Sequence, residues 1–249
     1  MKHLELHILQ SVPVTCLNRD DLGSPKTAFF GGAQRARVSS QSWKRAIREY
    51  AHEISPYFKG KRSRLIIEPL VDELKALGKS EEEAKDAAKE IAEVIGKLDA
   101  EAEKKTGVLR VKTVHYTSAA EIKALIQMYQ EKGDAKKAVK AVGVGVLKDA
   151  ADISLFGRMV ANDHSLTIEG AVMFNHPIST HKVDNELDFF AAVDDWQKKE
   201  DSGAGITGTL EYNSSVYYRF AALNLDMLAD EEHLACMTKD ERKEVVSTF

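Results

Sequence analysis

Cysteine is almost missing from this chain. Of its 249 residues only Cys16 and Cys236 carry thiols, far apart and without further partners, which excludes a disulfide scaffold and a tetrahedral zinc site. Both read as free thiols in a reducing compartment. Long apolar runs are missing too: no uninterrupted stretch approaches a membrane span, and the N-terminus MKHLELHILQ alternates polar and apolar residues instead of forming a signal-peptide core. The protein is therefore expected in the cytoplasm, without a membrane partner. Nor is there an excess of positive charge. With 35 Lys and Arg against 39 Asp and Glu the net charge is −4, whereas a domain that coats nucleic acid with its whole surface is basic. Any anion site must be local.

Several catalytic signatures are also lacking. Neither Gly31 and Gly32 nor Gly143 and Gly145 is followed by Gly-Lys-Ser/Thr, and no G-x-G-x-x-G follows a strand, so nucleotide hydrolysis has no support. His176 and His181 are five residues apart across a proline, which in an extended chain puts them on opposite faces. With His164 they make no metal site. Ser39, Ser40 and Ser42 lack a nearby His–Asp arrangement and are explained by helix capping. No cofactor, metal or catalytic residue is expected, and no internal repeat or low-complexity tract occurs.

What is present is a concentrated cationic block. Between Cys16 and Arg48 lie Arg19, Lys26, Arg35, Arg37, Lys44, Arg45 and Arg48, and the only acids are Asp20 and Asp21. Asn18 to Lys26 reads as a surface loop that Gly31 and Gly32 extend. Ser39 or Ser40 caps a helix with an apolar stripe of Trp43, Ile47, Tyr50 and Ile54, leaving Lys44, Arg45 and Arg48 on or beside its exposed face. Cations in the first helical turns oppose the helix dipole, and an external anion relieves that conflict. Lysines and arginines spread over a loop, a turn and a helix start suit successive phosphates. Two other readings stay open at this point. Asp20 and Asp21 beside a phosphate-binding surface could hold a divalent metal for cleavage of a phosphate backbone, or cap a turn. The block could equally be an anion-binding patch on a cytoplasmic scaffold that meets an acidic protein.

Along the chain, His3 to Ser11 alternates as a half-buried strand with Leu4, Leu6 and Ile8 inward. After a short basic run at Lys59 to Arg64, helices are expected over Leu65 to Leu77 and over Ser80 to Lys105, the second opening with the capping box Ser80 and Glu83. Leu109 to Tyr116 reads as a strand, Ser118 and Glu121 as a second capping box leading toward Lys132, and Asp134 to Val142 as a further short helix. Beyond Gly143, ADISLFGRMVA, AVMFNHPISTHKVD and SSVYYRFAALNL read as strands. The last two flank an acidic, glycine-bearing excursion with Gly203, Gly205 and Gly208, suited to a sharply turned loop. Thr238 and Glu241 open a final helix near the end at Phe249.

These residues carry a family resemblance. CLNRDDLGSPKTAFFGGAQRARVSSQSWKRAIR, then DISLFGRMVA, ISTHKVDNELDFFAAVDDW and GTLEYNSSVYYRFAALNL, in that order, resemble the CasC family, the RNA-binding backbone subunit of the type I-E CRISPR surveillance complex Cascade. The resemblance implies an α+β fold: an RRM-like (ferredoxin-like) palm sheet, a helical fingers insertion and a thumb hairpin. It divides one hand-shaped domain into a palm strand, basic loop and helix at 1–50, fingers at 51–145, palm return at 146–177, thumb at 178–211, and a palm strand with the start of a helix at 212–249. The family continues beyond Phe249, so the palm is expected to be incomplete. The implied activity is not enzymatic. Copies polymerise along the guide RNA (crRNA), together with other Cascade subunits, and specificity toward a target DNA strand is delegated to guide pairing. By resemblance, Lys26, Gln34, Arg35, Gln41, Lys44 and Arg45 face guide phosphates; Arg37 and Arg48 of the same block join them as RNA-binding candidates. Met159 and Thr207, with Ile206 as the more apolar neighbour, match positions that wedge beside a displaced base.

Overall fold

The computed structural model describes residues 2–142, 146–160, 162, 164–192, 196 and 206–249. In chain order the elements are β1 (His3–Thr15), β2 (Thr27–Phe30), β3 (Ala33–Ala36), α1 (Ser40–Ile54), β4 (Lys61–Ser63), α2 (Ile67–Ala76), α3 (Glu81–Gly96), α4 (Ala100–Thr106), β5 (His115–Thr117), α5 (Ala119–Lys132), α6 (Ala135–Val142), α7 (Ala151–Phe156), β6 (Val172–Phe174), β7 (Ile178–Ser179), β8 (Glu186–Ala192), β9 (Ile206–Asn224), α8 (Leu225–Leu228) and α9 (Lys239–Thr248). This is a mixed α/β fold whose main sheet follows the path β1-β9-β6, with β7 and β8 also pairing on β9. The chain forms two compact units. One comprises Met1–Leu4, Ile47–Met173 and Leu223–Phe249, the other Glu5–Ala46 and Phe174–Ala222.

The first unit is built on helices. Leu70 and Leu74 of α2, Ala84, Ala88, Ile91 and Ile95 of α3, Ile122 and Ile126 of α5 and Ala135, Ala138 and Val139 of α6 share one buried cluster, each set recurring at the three- and four-residue spacing that makes one face of a helix. Alanines on α3 let its neighbours approach closely, and a Cβ on Gly96 would come 2.8 Å from that of Val111. The Ser80–Glu83 capping box is complete, with Ser80 accepting from the Glu83 amide and Glu83 from the Ser80 amide. The single helix expected over Ser80 to Lys105 is instead two. Lys97 takes a φ of 54°, which stops α3, and the Asp99 carboxylate accepts the Ala102 amide to start α4. Ser118 caps α5, but the Glu121 side chain does not close the second box; it turns inward to Thr117 and Arg158. The strand expected over Leu109 to Tyr116 contracts to β5, which pairs with β4. ADISLFG is not a strand: Ala151–Phe156 is helical, and residues 151–155 are all fully buried. A short run buried on every side carries no periodicity to separate helix from strand. The final capping box is formed, with Thr238 and Glu241 exchanging both bonds at the start of α9.

The second unit is built on β9. Its small core joins Ala36, Val38, Val183 and Tyr217. β1 is less buried than its alternation predicts: Leu6 is half-buried but Ile8 is exposed, while the polar face is engaged, with His7 bonded to the Tyr218 hydroxyl at 2.8 Å and packed on Phe220. The excursion after Asn185 is no mere loop. β8 runs antiparallel to β9 from Glu186↔Tyr212 to Ala192↔Ile206, and every residue of β8 is exposed. Gly208 lies opposite Phe190, whose ring comes so close that a Cβ on residue 208 would meet it at 2.5 Å. Gly203 and Gly205 lie outside the described residues. Among the described residues no helix is long and apolar enough to cross a membrane.

Candidate nucleic-acid interface

The cationic block folds into a loop, a hairpin and a helix start within the second unit. Asp20 organises the loop: its Oδ1 accepts the amides of Leu22 and Ser24, which is the turn-capping role open to it in the sequence. Arg19 donates to the Glu211 carbonyl and lies 5.5 Å over the Tyr212 ring, fastening the loop to β9. The Asn18 side chain accepts the Ser39 amide. Among the described residues, no three His, Cys, Asp or Glu side chains converge as a metal site would require.

β2 and β3 then form a tight hairpin in register Thr27↔Ala36, Ala28↔Arg35, Phe29↔Gln34 and Phe30↔Ala33. Gly31 and Gly32 make the turn with φ of 61° and 75°, a left-handed conformation that glycine adopts without strain. Strand alternation places Arg35 and Arg37 on one face, and the ladder continues to Lys26 through the Arg37 amide and Lys26 carbonyl. Arg35 is fixed in place: Nε donates to the Phe30 carbonyl, Nη1 to the Ser179 carbonyl 2.9 Å away, and the guanidinium lies over the Phe30 ring. Arg37 donates to the Thr27 carbonyl. These bonds leave part of each guanidinium fork available while holding it still. Gln34 is exposed on the opposite face, across from Phe29.

α1 corrects one expectation. Ser39 caps it, its hydroxyl accepting the Ser42 amide, and no acid occupies the first turn. The inward stripe, however, is Trp43 and Ala51, both buried, with Ile47 half-buried between them, whereas Tyr50 and Ile54 are exposed. Lys44 and Arg48 flank that stripe one residue further on, so both are half-buried. Each rests on an aromatic face: Lys44 Nζ lies 5.2 Å above Phe174, and Arg48 lies over Tyr116. Burial lowers the Lys44 ammonium from its ordinary value. Gln41 and Arg45 are exposed on the helix.

Of the candidate residues, Lys26, Gln34, Arg35, Arg37, Gln41, Lys44, Arg45, Ile206 and Thr207 fall in the second unit and Arg48 and Met159 in the first. Met159 is 83% exposed. Ile206 and Thr207 are exposed at the start of β9, paired with Ala192 and Ala191. Two residues that the sequence reading passed over stand out on the hairpin: Phe29 and Phe30 are 79% and 61% exposed. Adjacent aromatics beside a Gly-Gly turn in an acid-free basic segment are the signal for single-strand stacking. In the first unit Arg62, opposite Tyr116 in the β4–β5 pair, lies over the same ring as Arg48.

The CT1975-like protein family model matches residues 4–249. The chain belongs to the CT1975-like protein family. Among curated proteins none matches it. Among solved structures, this CT1975-like chain is similar to a chain of one described as "CRISPR RNA-guided surveillance complex, pre-nicking", with a TM-score of 0.79 and 32% identity over 99% of this chain and 70% of that one. It is also similar to a chain of a "CRISPR RNA-guided surveillance complex", with a TM-score of 0.65 and 26% identity over the same shares. Both agree with the resemblance carried by the sequence motifs.

Proposed function

We propose that this protein is a backbone subunit of a CRISPR RNA-guided surveillance complex of the Cascade type I-E, gripping the phosphate backbone of the guide RNA without reading its sequence. The observation that carries this reading is the hairpin face of Lys26, Arg35 and Arg37, with α1 following it, in a segment from Leu22 to Arg48 that contains no acid. Its likeness to chains of RNA-guided surveillance complexes supports it. Fixed arginines with spare donors bind phosphate oxygens without losing much side-chain freedom.

In this reading β1, β6, β7 and β9 with α1 are an RRM-like palm, α2 to α6 are the fingers insertion, and the β8–β9 ribbon is the thumb. A two-stranded ribbon exposing Leu187, Phe189, Phe190 and Ile206 is marginal by itself, and packing on a neighbouring copy along the RNA covers it. Ile206, Thr207 and Met159 are the wedge residues. Partners are then crRNA, further copies of the chain, other subunits, and a target DNA strand through guide pairing. The subunit holds RNA and does not cut it; Asp20, tied to two backbone amides, is poorly placed to bind a metal.

Titrating the full chain with fluorescent single-stranded RNA at several salt concentrations tests this. About four phosphates per copy give a log–log slope near roughly −3. A slope near zero, or equal binding by a chain carrying Lys26→Glu, Arg37→Glu and Lys44→Glu together, overturns it. Regular cleavage of complementary RNA in magnesium that vanishes in Asp21→Ala overturns the non-enzymatic part.

A further inference from the structure

Lys44 is held by more than its own helix. Its ammonium lies 5.2 Å above the ring of Phe174, and that ring is itself fixed. Phe174 meets Trp43 edge-on, with centroids 5.0 Å apart and planes at 80°, an arrangement that aromatic quadrupoles favour. Trp43 is buried, and the Arg219 guanidinium lies 4.7 Å from the centroid of its ring. Arg219 in turn donates from Nη1 to the Gln10 side chain at 2.7 Å. The backbone beside Phe174 is clamped as well: the Asn175 amide donates to the Phe220 carbonyl, and the Asn175 side chain accepts the Phe220 amide. All of these residues belong to the second unit.

A stack of cation, ring, ring and cation therefore runs from Lys44 on α1 through Phe174 at the end of β6 and Trp43 to Arg219 on β9. Lysine is a point charge on a flexible four-carbon stem, and a freely moving one loses rotamer freedom when it engages a phosphate. Held against Phe174, the Lys44 side chain has given up much of that freedom in advance. Burial lowers its ammonium from the ordinary value, the mark of partial withdrawal from water, and a partly desolvated cation attracts a phosphate more strongly.

We propose that Phe174 is a positioning residue for RNA binding: it holds Lys44 in the orientation that meets a phosphate, and Trp43 with Arg219 keeps its ring in place. The proposal rests on the RNA-binding reading and gives a role to side chains that need not touch the RNA.

The test titrates the full chain with fluorescent single-stranded RNA as Phe174→Leu, Lys44→Met and the double variant, each below its melting midpoint. Phe174→Leu should weaken binding about three- to tenfold, the cost of ordering one long side chain on binding, and should add nothing in the Lys44→Met background. Phe174→Tyr, which keeps the ring, should restore the affinity. Equal losses from Phe174→Leu in both backgrounds, or no loss in either, overturn the proposal. A second readout needs no RNA. In the chain labelled with ¹³Cε-lysine, ring currents should move the Lys44 signal upfield, and Phe174→Leu should abolish that displacement while Phe174→Tyr preserves it. A Lys44 signal that Phe174→Leu leaves unchanged also overturns the proposal. RNA binding with equal losses removes the positioning role alone, whereas absence of RNA binding by the unaltered chain overturns both readings.

Discussion

The Nη1 atom of Arg158 lies 2.7 Å from Oε1 of Glu121, and both side chains are withdrawn from water, 1% and 6% exposed. The pair is closed by further bonds, since Thr117 donates its hydroxyl to Glu121 at 2.6 Å and Arg158 reaches two carbonyls. Such a pair contributes little relative to an apolar substitute, but removing one partner strands the other charge. Glu121→Ala should therefore cost about 3–5 kcal/mol in urea unfolding, and the double variant Glu121→Met with Arg158→Met distinctly less. Equal losses would contradict the pairing.

His115 links stability to pH. Its native imidazole titrates near 3 because it is buried and close to Arg158, while in the unfolded chain it titrates near 6.5. Between those values the unfolded state binds one more proton, so stability is intact above pH 6.5 and falls as the pH is lowered. The slope from this group is about 1.4 kcal/mol per unit. Urea midpoints should drop between pH 7 and pH 5, and His115→Gln should flatten that drop. An unchanged profile in the variant would refute the assignment.

Arg35 and Lys26 separate structure from binding. Arg35 holds the Phe30 and Ser179 carbonyls, so Arg35→Ala should lower both the thermal midpoint and RNA affinity. Lys26→Ala should leave the midpoint unchanged and reduce the salt slope by about 0.7, the share of one phosphate on a single strand.

Phe29 offers the opposite signature. Stacking on a base is worth about 1–3 kcal/mol and involves no counterion. Phe29→Ala should weaken single-stranded RNA binding by that amount while its salt slope stays as in the unaltered chain. A changed slope with unchanged affinity would remove Phe29 from the interface.

Much of this was legible in the residues, and the failures have physical causes. Capping chemistry is local, so the boxes at Ser80 and Thr238 were visible, and the family motifs led to the right family. Glu121 looked like a third box, but a buried arginine 37 residues away competes for its carboxylate. ADISLFG looked extended because complete burial erases helical periodicity. Lys44 and Arg48 were expected on the open side of α1, yet their long side chains lie along aromatic faces, which charge patterning does not reveal. Arg62 and Arg158 are separated by nearly a hundred residues yet both engage Tyr116, one over its ring and one at its carbonyl. No spacing rule reaches that far.

The central claim is that copies of this chain line up along RNA. Native mass measurement of the purified chain mixed with single-stranded RNAs of increasing length tests it most directly. The account predicts a copy number that rises linearly with RNA length. One copy, or none, at every length would contradict it.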